Sequence, residues 1–190
     1  PVILPTKMEN KYKITAAELE ASITAKSKVF LFSSPCNPSG SVYTKEELKS
    51  LADVFANHPD IFIISDEIYE YINFVGKHES IAQFDAIKDQ VIIVNGLSKG
   101  YAMTGYRLGY IAANADVAKA CEKLQGQFTS GTNAVTQRAA IDALVGDQAP
   151  TVAMTKEFER RKKRVMELIS EVPGWKVAEP DGAFYVFPQV

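Results

Sequence analysis

Six side chains in this 190-residue chain have the types and spacing for chemistry on a bound small molecule: Asn37, Asp66, Tyr69, Ser98, Lys99 and Arg107. A lysine amine attacks carbonyl carbons and, when neutral, takes up a proton. A carboxylate such as Asp66 keeps a neighbouring nitrogen protonated. Tyr69, Asn37 and Ser98 supply hydrogen bonds, while the planar fork of Arg107 matches a phosphate better than a lysine point charge would. An amine, a carboxylate and a guanidinium in one pocket would otherwise be an ion-pair cluster, and burying charges without a purpose is costly. A ligand that uses each of them is the more economical explanation.

The elements that must position these residues follow from hydrophobic pattern. Three apolar runs, Val29-Phe30-Leu31-Phe32, Ile61-Phe62-Ile63-Ile64 and Val91-Ile92-Ile93-Val94, read as buried strands of a parallel sheet. Asn37-Pro38-Ser39-Gly40 follows the first, Asp66-Glu67-Ile68-Tyr69 the second and Ser98-Lys99 the third. Ligands of open α/β sheets gather at the carboxyl ends of parallel strands, and neighbours about 4.8 Å apart let these side chains reach one ligand. A fourth strand, Leu108 to Ala113, follows too soon for a crossover helix, so it is predicted antiparallel, and Arg107 then starts at the same edge.

Thr44 with Glu47, and Thr15 with Glu18, are capping-box pairs that each start a helix. Leu48, Leu51, Ala52 and Phe55 fall on one face of the Thr44 helix. Residues 116–144 are Ala-rich and predicted helical with a break near Gly126 to Asn133. A further helix is predicted from Thr151 to Ser170, with Phe158, Val165, Leu168 and Ile169 inward and the Arg160 to Arg164 run mostly in water. Trp175 to Ala178 and Ala183 to Phe187 are predicted as two short strands joined by the turn Glu179-Pro180-Asp181-Gly182. Alternating strands and helices make the fold α/β with a mostly parallel sheet.

Composition narrows the function classes. A hydrophobic content of 46%, a charged content of 23% and a net charge of −2 describe a soluble globular chain, with no electrostatic reason to bind nucleic acid or an anionic membrane. No apolar run has the length of a membrane span. Cys36 and Cys121 lack metal-ligand or redox spacing, and His58 and His78 read as solvated surface residues, so no metal site is predicted. The setting is expected to be reducing and cytoplasmic. The chain opens at Pro1 with no leader, which reads as a piece of something longer.

Pyridoxal 5′-phosphate has an aldehyde, a ring nitrogen, a phenolic oxygen and a phosphate, and each finds a partner in the set above. The motifs Asn37-Pro38-Ser39-Gly40, Asp66-Glu67-Ile68-Tyr69, the run Gly96 to Tyr110 around Ser98-Lys99-Gly100, and Pro180-Asp181-Gly182-Ala183-Phe184-Tyr185 resemble the class I pyridoxal-phosphate-dependent aminotransferases of fold type I, among them the bacterial aspartate aminotransferases. The resemblance implies a three-layer α/β/α large domain, incomplete here, over residues 1–154, and the start of a smaller α+β domain over 155–190. It implies that Lys99 holds the cofactor as a Schiff base and moves the proton, Asp66 pairs with the ring nitrogen, Tyr69 and Asn37 bond the phenolic oxygen, and Arg107 clamps the phosphate. Gly96 stands where many relatives have a serine, so Ser98 is the hydroxyl left for the phosphate. Amino and 2-oxo acids are the implied substrates, aspartate and 2-oxoglutarate first among them, with a homodimer as the assembly and a parent about twice this length. Another enzyme of the same fold, or a cofactor-binding sensor domain of a transcription regulator, would share these motifs.

Overall fold

Both capping boxes form. In the computed structural model, which describes residues 1–190, helix α1 (Ala16–Ser22) starts under Thr15, and α2 (Lys45–Ala56) under Thr44. In each, the threonine hydroxyl accepts the backbone N–H of the glutamate three residues on, whose carboxylate accepts the threonine N–H in return at 2.8 Å. Two otherwise orphaned N–H groups per helix are satisfied in this way. The predicted face of α2 is the buried one, carrying Leu48, Leu51, Ala52 and Phe55.

Strands β1 (Val29–Ser33), β2 (Phe62–Asp66), β3 (Val91–Gly96) and β4 (Gly109–Ala112) form one sheet in the order β1-β2-β3-β4. The first three are parallel and β4 is antiparallel to β3, as the short connection requires. β2 begins one residue later than predicted and includes Asp66 as its last member. Helices α1 and α2, with two short 3-10 turns at Ile81–Gln83 and Asp85–Gln90, cover one face of the sheet. Phe55, Leu51, Ile63, Ile81 and Val91 form the centre of that core.

The other face is open. The register aligns Val29 with Phe62 and Leu31 with Ile64, and Val29 and Leu31 are 58% and 67% exposed. One helical layer and the sheet are therefore present, with no second helical layer over β1. β1 is also a sheet edge, whose unpaired backbone groups are a template for further pairing.

Helices α3 (Ala115–Phe128) and α4 (Ala134–Val145) break where predicted, and Asn133 restarts the chain by accepting the N–H groups of Val135 and Thr136 at 2.9 and 3.2 Å. α5 runs unbroken over Ala149–Ser170. The predicted inward face of α5 is only partly covered, since Val165 and Leu168 are exposed. Periodicity marks an apolar stripe without naming what packs on it, and nothing in this chain covers that end. Lys162 departs from its exposed neighbours Arg160, Arg161, Lys163 and Arg164. Its side chain is 12% exposed, lies over the Phe74 ring and pairs with Glu179 at 2.9 Å.

The predicted C-terminal hairpin takes a different form. β5 (Lys176–Val177) pairs antiparallel with β6 (Pro188–Gln189), and the residues between them do not make a tight turn. Gly40 carbonyl accepts the N–H groups of Asp181 and Gly182 at 2.8 and 2.9 Å, and Ile72 carbonyl accepts that of Ala183 at 2.7 Å. With those backbone donors committed elsewhere, the second strand forms only after Phe187.

Candidate functional site

The strand ends set the site. β2 ends at Asp66, which is aligned with Ser33 at the end of β1 and with Val94 in β3. β3 ends at Gly96, aligned with Gly109 at the start of β4. Asn37, Asp66, Tyr69, Ser98, Lys99 and Arg107 thus lie on or just beyond one rim of the sheet.

Lys99 stands on the turn after β3. Leu97 anchors that turn in the interior, and Met103 N–H donates to Leu97 carbonyl while Ala102 N–H donates to Lys99 carbonyl. Gly100 is buried, and a Cβ there would meet the Tyr71 ring at 2.5 Å, so the turn can lie against Tyr71 only with glycine. The Lys99 amine is 5.7 Å from the Tyr69 ring centre and 5.8 Å from that of Phe184. Both lie within cation–π range, and the two rings hold the amine at the rim.

Tyr69 is 3% exposed, and Phe184 and Tyr185 pack edge-on to its ring with centroids 5.3 and 5.6 Å away. Its hydroxyl is 2.6 Å from that of Tyr185. Burial, with the negative charge of Asp66 nearby, pushes the Tyr69 phenol well above its ordinary range, and it is protonated at neutral pH. Asp66 accepts the Ile68 N–H at 3.1 Å through Oδ1.

Arg107 has a left-handed backbone, with φ of 54°, and donates to Thr104 carbonyl at 2.8 Å. It lines a polar cavity of about 680 Å³ with Gln125, Thr129, Thr132 and Asn133, so the break between α3 and α4 faces this arginine. Asn37 is exposed and Ser98 half-buried. The Gly96 departure has a packing cause, because a Cβ there would sit 2.7 Å from Leu108 carbonyl, where β3 and β4 approach.

Two residues with no role assigned from sequence belong to this cluster. Phe184 and Tyr185 arrive from more than a hundred residues away, and their only signal was membership of the Pro180 to Tyr185 motif. That segment is fastened at three points: to the loop after β1 through Gly40, to the loop after β2 through Ile72, and to Lys11 by an ion pair with Asp181 at 2.8 Å. Gly40 has φ of 69°, and a Cβ there would collide with Pro180.

His78 is a correction. It is not a solvated surface residue, since its side chain is 14% exposed and its Nε2 lies 2.9 Å from Glu67 Oε2. Glu67 is buried, and its Oε1 also accepts the hydroxyls of Ser65 and Ser80 at 2.9 and 2.7 Å. Successive side chains of a strand take opposite faces, so Glu67 leaves the sheet on the α2 side while Asp66 leaves on the other. Glu67 therefore ties the end of β2 to the 78–80 loop directly beside Asp66. Glu67→Ala strips three groups of their acceptor and is expected to cost about 3–5 kcal/mol of stability, read by denaturant titration. A loss below about 1 kcal/mol would show that the network does not brace the strand end.

Comparison with known proteins agrees with this geometry. The profile of the family described as Aminotransferase class I and II matches residues 1–190. The chain is 44% identical to an aspartate aminotransferase of Bacillus sp. (strain YM-2), covering all of this chain and 49% of that protein. It is 43% identical to the aspartate aminotransferase of Bacillus subtilis (strain 168), covering 99% and 48%. Among solved structures, the aspartate aminotransferase of Rhizobium meliloti superposes with a TM-score of 0.96 at 35% identity, over 99% of this chain and 48% of that one. An aromatic aminotransferase of Pyrococcus horikoshii OT3 does so with 0.94 at 38% identity, over 100% and 51%. The chain spans about half the length of the curated relatives it matches. With its motifs on one sheet rim and its whole length matched, the chain belongs to the class I and II aminotransferase family.

Proposed function

We propose that this chain is the cofactor-binding part of a pyridoxal-phosphate-dependent aminotransferase that moves the amino group of an L-amino acid, aspartate foremost, to 2-oxoglutarate. The observation that carries the reading is the Lys99 amine lying over the adjacent Tyr69 and Phe184 rings, on the rim where Asp66 ends its strand. The donor set fits the cofactor: an amine for its aldehyde, a carboxylate for its ring nitrogen, a phenol and an amide for its phenolic oxygen, and a guanidinium with Ser98 for its phosphate. When bound, pyridoxal phosphate supplies the electron sink for the bond broken at the substrate Cα.

The protein's own residues do the rest. Lys99 Nζ would hold the cofactor through its aldehyde, and the free Lys99 amine would take the proton from the substrate Cα. Asp66 keeps the ring nitrogen protonated. Tyr69 and Asn37 would hydrogen-bond the phenolic oxygen, and the Arg107 guanidinium would anchor the phosphate. Residues 1–154 are assigned to the large domain and 155–190 to the start of the smaller one. The active form is a cytoplasmic homodimer of a chain about twice this length, in keeping with relatives of which this stretch covers 48–49%.

The test uses the full-length protein that carries this stretch, loaded with cofactor. Aspartate and 2-oxoglutarate are expected to yield oxaloacetate and glutamate in equal amounts. A cofactor band that no amino acid changes would overturn the reading in favour of a sensor domain. The likeness to an aromatic aminotransferase supports a second donor class. A kcat/KM for phenylalanine above that for aspartate would reassign the substrate while leaving the reaction type in place.

A further inference from the structure

We propose that Tyr185 is a positioning residue for Tyr69, donating its hydroxyl proton to the Tyr69 oxygen so that the Tyr69 proton points toward the cofactor's phenolic oxygen. This rests on the reading above in which Tyr69 serves that oxygen.

The argument is one of donors and acceptors. A phenol has one proton to give and room to accept. The two hydroxyls are 2.6 Å apart, at the short end for this type of bond, so one of them donates to the other. If Tyr69 spends its proton on the cofactor, the proton between the two tyrosines has to come from Tyr185. The direction of the pair is thereby fixed by the ligand. Donation into the Tyr69 oxygen also polarises its O–H and makes it a stronger donor, because chained hydrogen bonds reinforce one another in a low-dielectric site.

Tyr185 is rigidly delivered. Its segment is tied through backbone bonds to Gly40 and Ile72, and its ring packs on Phe184 with centroids 4.9 Å apart. The charged groups facing Tyr69 are the Lys99 amine at 5.7 Å from its ring and the carboxylate of Asp66, both already assigned to the cofactor. Tyr185 is the group whose bond to the Tyr69 oxygen has no other assigned use.

A stronger donor to the phenolic oxygen draws charge from it, so the neighbouring nitrogen contributed by Lys99 holds its proton less tightly. The experiment titrates the visible band of the bound cofactor against pH in the full-length protein. In Tyr185→Phe, which keeps the ring and its packing, the midpoint is expected to rise by roughly half to one pH unit, the effect of one hydrogen bond. Tyr69→Phe is expected to raise it further, and adding Tyr185→Phe to Tyr69→Phe should change nothing more, since the second residue acts only through the first. A normal midpoint in Tyr185→Phe beside a raised one in Tyr69→Phe overturns the positioning role alone. An unmoved midpoint in Tyr69→Phe overturns both it and the reading of Tyr69. A shift from Tyr185→Phe that persists undiminished in the Tyr69→Phe background also overturns the proposal, because it would bypass Tyr69.

Discussion

Replacing Lys99 with alanine is expected to lower amino-group transfer by roughly 10,000-fold or more, while the protein stays folded. Two functions disappear together: the nucleophile that holds the cofactor and the base that takes the substrate proton, and general acid–base catalysis alone accounts for roughly 100- to 10,000-fold. The fold should be indifferent to the change. Lys99 meets its neighbours through its amine over two rings, whereas the turn is held by Leu97 and by backbone bonds that alanine keeps. Lys99→Arg separates chemistry from charge. A guanidinium preserves the cation over Tyr69 and Phe184 but does not become a neutral amine, so this variant should be as inactive as alanine. Near-normal turnover in Lys99→Arg would mean that the residue is a structural cation. Hydride reduction of the loaded protein gives a second readout, because the cofactor's mass should be fixed on the Lys99 peptide and on no peptide of the alanine variant.

Asp66→Asn is expected to slow transfer by roughly 30- to several-thousand-fold, and the choice of asparagine matters. Asp66 has two separable uses, as acceptor for the Ile68 N–H at 3.1 Å and as a charge at the end of β2. Asparagine keeps an acceptor oxygen for the turn and removes only the charge. Losing one member of a desolvated charge pair costs about 2–5 kcal/mol, and each 1.36 kcal/mol is tenfold in rate. The loss should fall on kcat, with thermal stability nearly unchanged. An Asp66→Asn enzyme within about threefold of wild type would reduce Asp66 to a turn former and remove the ring-nitrogen partner from the mechanism. Asp66→Glu tests the same point from the other side, since it restores the charge at a displaced position and should recover part of the rate.

These residues were legible in different ways. Lys99, Asp66 and Tyr69 could be placed on one rim because strand runs and connection lengths are local properties, and a rim follows once three strands are parallel. The direction of β4 was also legible, since too few residues separate it from β3 for a crossover. Arg107 was found through its position at the start of that strand, but its left-handed backbone and its bond to Thr104 were not. His78 was misread because its sequence neighbourhood, with Gly76 and Lys77, is that of an exposed turn. Its partner Glu67 is eleven residues away, across a fold of the chain.

Taken alone, the amino-acid sequence determined the two capped helices, the positions of the strands, the antiparallel direction of β4 and the break between α3 and α4. Each depends on neighbours within a few residues: a threonine and the glutamate three positions on, an apolar period, or a loop too short to cross. Tertiary structure alone decided that Phe184 and Tyr185 close over Tyr69, that Lys162 turns inward to Glu179, and that β6 waits until Pro188. Those outcomes depend on where a segment returns in space, and its backbone donors go to whichever carbonyls they meet there, which for residues 181–183 are those of Gly40 and Ile72.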